Sequence, residues 1–600
     1  MSTTQTPERI RSLRERMASE HIDALIIPTG DYHLSEYCAP FFGARKYITG
    51  FTGSAGTAVI TQKEAGLWTD SRYYLQAEKQ LEGTGIVLYR MQEPGVPAIP
   101  NWLAGRLQAE QTVAFDGRLV SCRTFDQWKK KLDRHGIRLR DDCDLVGAIW
   151  EDRPALPMNP VFDYDIAYAG RSRAEKLAEI REDMRKAEAD YLFLSGLSDI
   201  AWLLNLRGSD VHCNPVFLAF LLMDANYVYL FAQEDAFSPE LVKKLEADGI
   251  RLEAYDAVLG VLSELPTGSA IWLSSAENSC GLRNAVSKKS LLIDRPSPTG
   301  MHKAVKNETE QAGTRQAHLR DGVAVTKWIF WLKQQVGKAE ITEISAAEKL
   351  YEFRAEQDLF MGNSFDPIIG YGPHAAIVHY FATAESDVPL QPSGLLLADT
   401  GGQYLDGTTD ITRTIALGPL TDEERRMFTA VLRGHIALAS AVFPEGVTGS
   451  NLDVLAHLPL WNMGKDYGHG TGHGVGHFLN VHEGPNHFHW NDRGARGKTP
   501  AMQAGMITSD EPGYYEAGSF GIRHESLLLC VNLEETAFGK FLGFEELTLV
   551  PFDRDAIDPE QLTHEERAYL DRYHQTVFES LSPYLEPSER AWLEKATRPL

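Results

Sequence analysis

The sequence predicts two tandem α/β domains followed by an α+β domain. Three observations carry this. A segment from Arg9, RIRSLRERMASEHIDALIIPTGD, returns from Lys176 as KLAEIREDMRKAEADYLFLSGLSD, 167 residues later. Both copies read as an amphipathic helix, a polar break, an apolar strand and a loop ending in Asp, so they predict a repeated α/β unit. Between them lies the proline-rich stretch RPALPMNPVFDYD from Arg153, which has the composition of a linker. Beyond residue 303 the pattern changes to long capped helices and then to strands of antiparallel type. The expected divisions are 1–155, 156–302 and 303–600.

The elements follow in order. GFTGSAG from Gly50 reads as a tight loop after a strand. VFLAFLLMDANYVYLFA is interrupted by Asp224 and Asn226 and reads as a buried hairpin. Asn307 with Glu310 forms a capping-box pattern, and apolar Leu319, Val323, Ile329 and Leu332 continue it as a helical stripe. Thr342 opens a further helix, and Thr421 with Glu424 opens another. Strand text then appears in DPIIGYG, IVHYF, LLLADT, DITRTIAL and SLLLCV. Thr563 with Glu566 starts a helical tail.

Composition narrows the function. A chain of 600 residues needs several cores, and 43% hydrophobic with 24% charged residues is ordinary for a soluble protein. A net charge of −24 argues against nucleic acid and anionic membranes as partners. No apolar run reaches the ~20 residues of a membrane-spanning helix, and the N-terminus lacks the apolar region of a secretory signal. The six cysteines are far apart and form no CxxC pair, which fits a reducing, cytoplasmic setting rather than a disulfide frame.

The chemistry is concentrated in the last third. Asp399 and Asp410 lie in LLLADTGGQYLDGTTDITRT, and a hairpin centred between Tyr404 and Leu405 sets them opposite each other. Opposed residues stand roughly 4.5–5.5 Å apart at Cβ, so two like charges there call for a cation. Glu511 and Glu525, in SDEPGYYEAGSFGIRHES, repeat the arrangement. There a strand from Ile522 to Val531 carries Arg523 on the same face as Glu525. His469, His473 and His477 alternate with glycines, which argues against a helix and for an extended strand with the three on one face. Four carboxylates and one imidazole converging would make a cage for two divalent metals and a metal-activated water, the chemistry of hydrolysis. No GxSxG elbow or Walker lysine offers another route. HEGPNH, from His482, has the wrong spacing for a zincin helix, and Pro485 forbids one.

At this point the chain resembles the Xaa-Pro aminopeptidases (aminopeptidase P), in their larger three-domain cytosolic form. The resemblance covers nearly the whole chain. It is carried by SEYCAPFFGARKYITGFTGSAGTAVIT, LWTDSRYYLQAEKQ, HKAVKNETE, YGPHAAIVHY and the three acidic and histidine segments. It implies two creatinase-like N-terminal domains and a C-terminal pita-bread metallopeptidase domain. It also implies a dinuclear site held by Asp399, Asp410, His473, Glu511 and Glu525. Glu511 is then the proton shuttle as well. His379, His482 and His469 are active-site histidines, the first two holding substrate and supporting the oxyanion. Arg72 and Arg523 are substrate contacts. Four oxygen ligands and one nitrogen favour Mn(II), with Co(II) and Zn(II) as alternatives. The expected substrates are peptides with proline second, and the expected assembly is a homodimer with Trp461 and Phe478 as candidate contacts. Two other readings stay open at this level: a prolidase restricted to Xaa-Pro dipeptides, and a peptide-binding pseudoenzyme or chaperone module.

Overall fold

The computed structural model describes residues 5–491 and 499–600. The chain divides into two compact units. One runs to Asp165 and resumes over Arg171–Gly300; the other joins Ile166–Gly170 to Met301–Leu600.

The first unit contains the repeat. Helix Thr6–Ser19 leads into strand Ala24–Pro28, and helix Arg173–Lys186 leads into strand Tyr191–Leu194. Each strand is third from one end of the parallel half of a six-stranded sheet with the same layout. Ala24–Pro28 pairs antiparallel with Thr57–Thr61 and parallel with Thr112–Ala114. Tyr191–Leu194 pairs antiparallel with Ala219–Met223 and parallel with Ala270–Trp272. The expected hairpin is present, with Ala219 opposite Ala232 and Met223 opposite Val228. Its residues are nearly all buried, which is why the run is apolar without alternation. The GFTGSAG loop follows a helix, Ala44–Thr49, and not a strand. Gly50 ends that helix at φ +73°, a left-handed cap that glycine takes without strain.

In the second unit, each predicted helix start is where the capping chemistry puts it. Asn307 accepts from Glu310 N–H while Glu310 returns to Asn307 N–H, opening helix Glu308–Gln335. Thr342, Thr421 and Thr563 open Glu343–Ala355, Asp422–Ala439 and His564–Leu581 in the same way. Such caps are worth about 1 kcal/mol each and fix the phase of the helix that follows. Val323, Ile329 and Leu332 are buried and Leu319 packs against the core.

Two sheets of this unit frame the site. One has the order Ile368–Tyr371, Leu395–Thr400, Ile411–Ala416, all antiparallel. The other, six-stranded, includes Gly472–Gly474, Ile507–Asp510 and Ser526–Thr536 as neighbours. Three expectations are corrected. The hairpin after Leu395 turns one residue later, between Leu405 and Asp406, so Asp399 faces Thr412 and not Asp410. IVHYF is a loop after the short 3-10 helix Gly372–Ala376. Its Val378 carbonyl is taken by the Arg523 guanidinium at 3.4 Å, not by a neighbouring strand. The strand Ile522–Val531 is two strands in different sheets, Phe520–Arg523 and Ser526–Thr536. His524 causes the break: it turns inward between Phe428 and Phe552, at ring distances of 4.3 and 5.6 Å.

Candidate metal centre

Each acidic residue of the site stands at a strand end or break. Asp399 is the next-to-last residue of its strand, and Asp410 immediately precedes Ile411. Glu511 follows strand Ile507–Asp510, and Glu525 fills the gap before Ser526. Backbone bonds tie them down: Glu511 N–H donates to the Thr471 carbonyl at 2.7 Å, and Glu525 N–H to the Thr412 carbonyl at 3.1 Å. His473 is the central residue of Gly472–Gly474, whose glycines lie against neighbouring backbone. A Cβ on Gly472 would meet the Ser509 carbonyl at 1.8 Å, so the close packing inferred from the glycine-rich text has a physical basis here.

The ligand atoms converge. One atom each from Asp410, His473 and Glu525 lies within 4.8 Å of the others. His473 Nε2 stands 3.4 Å from Asp410 Oδ2 and 3.5 Å from Glu511 Oε1. Its Nδ1 is 3.0 Å from the Gly474 carbonyl. A carbonyl only accepts, so Nδ1 carries the hydrogen and the Nε2 lone pair faces two carboxylates. Lone pairs aimed at one another are repulsive without a cation between them. Asp399 Oδ1 and Glu525 Oε1 are buried and accept no hydrogen bond. Burial pushes the Asp410 carboxyl well up, and the Asp399 and Glu511 charges push it further. Glu511 is raised by burial and then by Glu525, and Glu525 by burial and then by Asp410. Carboxylates disposed this way want positive charge. The donor set, four carboxylates and one imidazole, fits hard or borderline divalent cations.

The other predicted residues separate. The three histidines of HGTGHGVGH do not share a face, because only Gly472–Gly474 is strand. His477 turns away and its Nδ1 lies 3.3 Å from the Thr314 hydroxyl. His469 Nε2 meets the Tyr515 hydroxyl at 2.9 Å. His482 packs edge-on to His473, ring centres 4.2 Å apart. His379 lies in the loop beside Val378 and is half-buried. Arg523 is buried and engaged: it donates to Tyr515 at 2.7 Å, to Asp399 at 2.5 Å and to the Val378 carbonyl. It therefore holds Asp399, not Glu525. Arg72 lies in the first unit, its guanidinium on Asp70 at 2.8 and 2.9 Å. Phe478, a candidate dimer contact, is 2% exposed and belongs to the interior. Trp461 is half-buried.

Two participants escaped the sequence reading. Tyr515 links His469 to Arg523, and burial pushes its hydroxyl up to about 12. Behind Glu511, His435 is enclosed by Asp510 at 3.0 Å and Glu546 at 3.2 Å. Burial pulls this imidazole down, but the two carboxylates hold it up to about 10. The signal for Tyr515 was its place inside the acidic segment. His435 lies mid-helix and carries no pattern.

Comparison with known proteins agrees with this architecture. "Metallopeptidase family M24" matches residues 312–532, and its C-terminal region 540–600. "Creatinase/Prolidase N-terminal domain" matches twice, over 9–144 and 152–310. The chain is 41% identical over 615 residues to a probable Xaa-Pro aminopeptidase P of Laccaria bicolor, covering all of this chain and 94% of that one. It is 41% identical to aminopeptidase P2 of Arabidopsis thaliana, covering 99% and 88%. Among solved structures, X-prolyl aminopeptidase from Caenorhabditis elegans, described as a cytosolic enzyme with a di-nuclear active site, superposes with a TM-score of 0.94. It is 31% identical, over the full length of both chains. Two creatinase-type sheets, a pita-bread unit and a cluster of carboxylates around one imidazole thus place this chain in the aminopeptidase P family of M24 metallopeptidases.

Proposed function

We propose that this chain is a metal-dependent Xaa-Pro aminopeptidase that releases the N-terminal residue from peptides with proline in second position. The observation that carries the reading is the convergence of Asp410, His473 and Glu525 within 4.8 Å, with acceptors facing acceptors. We assign Asp399, Asp410, His473, Glu511 and Glu525 as the ligands of two divalent ions, Mn(II) ahead of Co(II) and Zn(II). When bound, such a pair supplies an acidified water and polarises the scissile carbonyl. Glu511 takes the proton from the attacking water and returns it to the departing proline nitrogen. Its setting, buried beside Glu525, favours holding a proton. His482, against His473, and His379, beside the Arg523-anchored Val378, support the developing oxyanion. His469 is held by Tyr515 as an acceptor at the same edge, and Arg523 positions Asp399. Arg72 keeps the substrate-contact role that the resemblance gives it, with Asp70 fixing its pose. We take the domains as 1–155, 156–302 and 303–600, which keeps each six-stranded sheet within one segment.

Specificity tests the reading. The tripeptide Xaa-Pro-Xaa should be cleaved well, and N-acetylation or replacement of proline by alanine should cut turnover sharply. Efficient cleavage of Xaa-Pro dipeptides alone would instead indicate a prolidase. His482→Ala should leave metal content near normal while kcat falls by roughly 10²–10³, as for loss of one oxyanion donor. If His482 were merely structural, the melting temperature would drop and kcat would hold.

We also propose a cytoplasmic homodimer. None of the six cysteines, all among the described residues, is in a disulfide, and the described residues include no helix long and apolar enough to cross a membrane. The worm relative is described as cytosolic. Light scattering at micromolar concentration should give twice the chain mass; the single-chain mass would refute the dimer.

A further inference from the structure

Beneath the hairpin that joins Asp399 to Asp410 lies an ion pair that no part of the chemistry above uses. Asp321 comes from helix Glu308–Gln335 and Arg354 from the last turn of Glu343–Ala355. Both are fully buried, at 0% and 1% exposure. They meet through two bonds, Nε to Oδ1 at 2.7 Å and Nη2 to Oδ2 at 3.1 Å. Both groups also bond to the hairpin. Arg354 donates to the Thr400 hydroxyl at 3.1 Å and to the Gly401 carbonyl at 3.2 Å. Asp321 accepts from the Thr409 hydroxyl at 2.6 Å and from the Tyr404 hydroxyl at 3.0 Å. Thr409 also receives the Gly402 N–H at 2.8 Å.

Thr400 follows Asp399, and Thr409 precedes Asp410. Asp399 and Thr400 are neighbours at the end of one strand and so point to opposite faces, while Thr409 and Asp410 form the link between strands Gly407–Thr408 and Ile411–Ala416. The ion pair therefore grips the back of the hairpin at the two points next to the two aspartates. A buried ion pair adds little stability over apolar residues of the same size, because both charges lose their water. Its geometry here answers a different need. The two aspartates do not face each other in the ladder but flank its Thr400–Ile411 pair, so the ladder places their backbones and leaves the spacing of their carboxylates to side-chain packing. The Asp321–Arg354 pair, rigid and doubly bonded, sets it from behind.

We propose that Asp321 and Arg354 are positioning residues that fix the spacing of Asp399 and Asp410 for divalent metal, acting through Thr400 and Thr409. This rests on the metal-site reading given above. Mn(II) alone is titrated calorimetrically into chelator-stripped, full-length protein. The chains compared are wild type, Thr400→Val/Thr409→Val, Thr400→Val alone and Thr400→Ser/Thr409→Ser. Valine keeps the shape and removes the hydroxyl; serine keeps the hydroxyl. The valine pair should bind Mn(II) at least tenfold more weakly, and Thr400→Val alone several-fold more weakly. The serine pair should stay within threefold of wild type. A purely structural role would lower the melting temperature of the metal-free valine variants and leave their Mn(II) affinity at the wild-type value, and that result would overturn the proposal. Should the valine pair not fold, Thr400→Val alone decides on the same criterion. A wild-type chain that takes up no Mn(II) would overturn the metal-site reading itself, and the clamp with it.

Discussion

Glu525→Gln should strip the centre of metal and of activity together. The substitution keeps the shape of the side chain and removes the charge that opposes a dication. Glu525 has one oxygen on the Thr412 hydroxyl at 2.8 Å and the other buried without a partner. Glutamine could still accept from Thr412, so the fold has little reason to change. Even outer-shell partners of metal ligands cost 10–100-fold in affinity or activity when altered, so a direct ligand should cost at least about 100-fold. Elemental analysis beside kcat checks this. Full metal content with near-normal turnover would remove Glu525 from the ligand set.

Exhaustive chelation should abolish turnover, and Mn(II) should restore it best. It should also make stability depend on pH in a particular direction. In the metal-free chain Asp410, Glu511 and Glu525 hold protons above the ordinary carboxylate range, through burial and then through each other's charge. The unfolded chain releases those protons near pH ~4. Above that the folded state binds more protons than the unfolded one, so stability falls as pH rises through the raised folded values. Bound metal replaces the protons and removes the penalty. The melting-temperature gap between loaded and stripped protein should therefore widen from pH 5 to pH 8. Ligand binding alone contributes about 2.7 kcal/mol at a hundred times Kd. Undiminished activity in metal-free protein would defeat the hydrolytic reading, and a gap that narrows with pH would defeat the charge argument.

Much of this was legible in the sequence, for unequal reasons. Capping boxes at Asn307, Thr421 and Thr563 are local chemistry, decided within four residues, and all three helices start there. The repeat was legible because the same helix–strand unit recurs, and both sheets have the same layout. Hairpin register was not. Centring the turn on Tyr404 and Leu405 takes no account of Gln403, which pairs with Thr408 and donates to the Leu479 carbonyl at 2.7 Å. Strand continuity through Arg523, His524 and Glu525 failed similarly. Arg523 is drawn to Asp399, more than a hundred residues away, and His524 is drawn to two phenylalanines. Asp321 carries no pattern in the sequence, standing two residues from Leu319 and Val323 and so off the apolar stripe. What that charge answers to, Arg354 and two threonines of the hairpin, is set only by tertiary packing.

The break at His524 and Glu525 has a mechanical meaning. Asp399 lies in one sheet, which Asp410 enters, while His473 belongs to another, which Glu511 leaves and Glu525 enters. The two sheets share no strand, and at the seam they meet through bonds such as Glu525 N–H to the Thr412 carbonyl, the Thr412 hydroxyl to the Glu525 carboxylate, and Arg413 to the Glu525 carbonyl at 2.5 Å. Cations held by side chains of both sheets would act as cross-links between two layers of one compact unit. Occupancy of the centre and rigidity of the scaffold then become a single variable. A chain that has lost its cations would keep each layer intact and lose the alignment between them, which is the property a peptide bond must find before it can be cut.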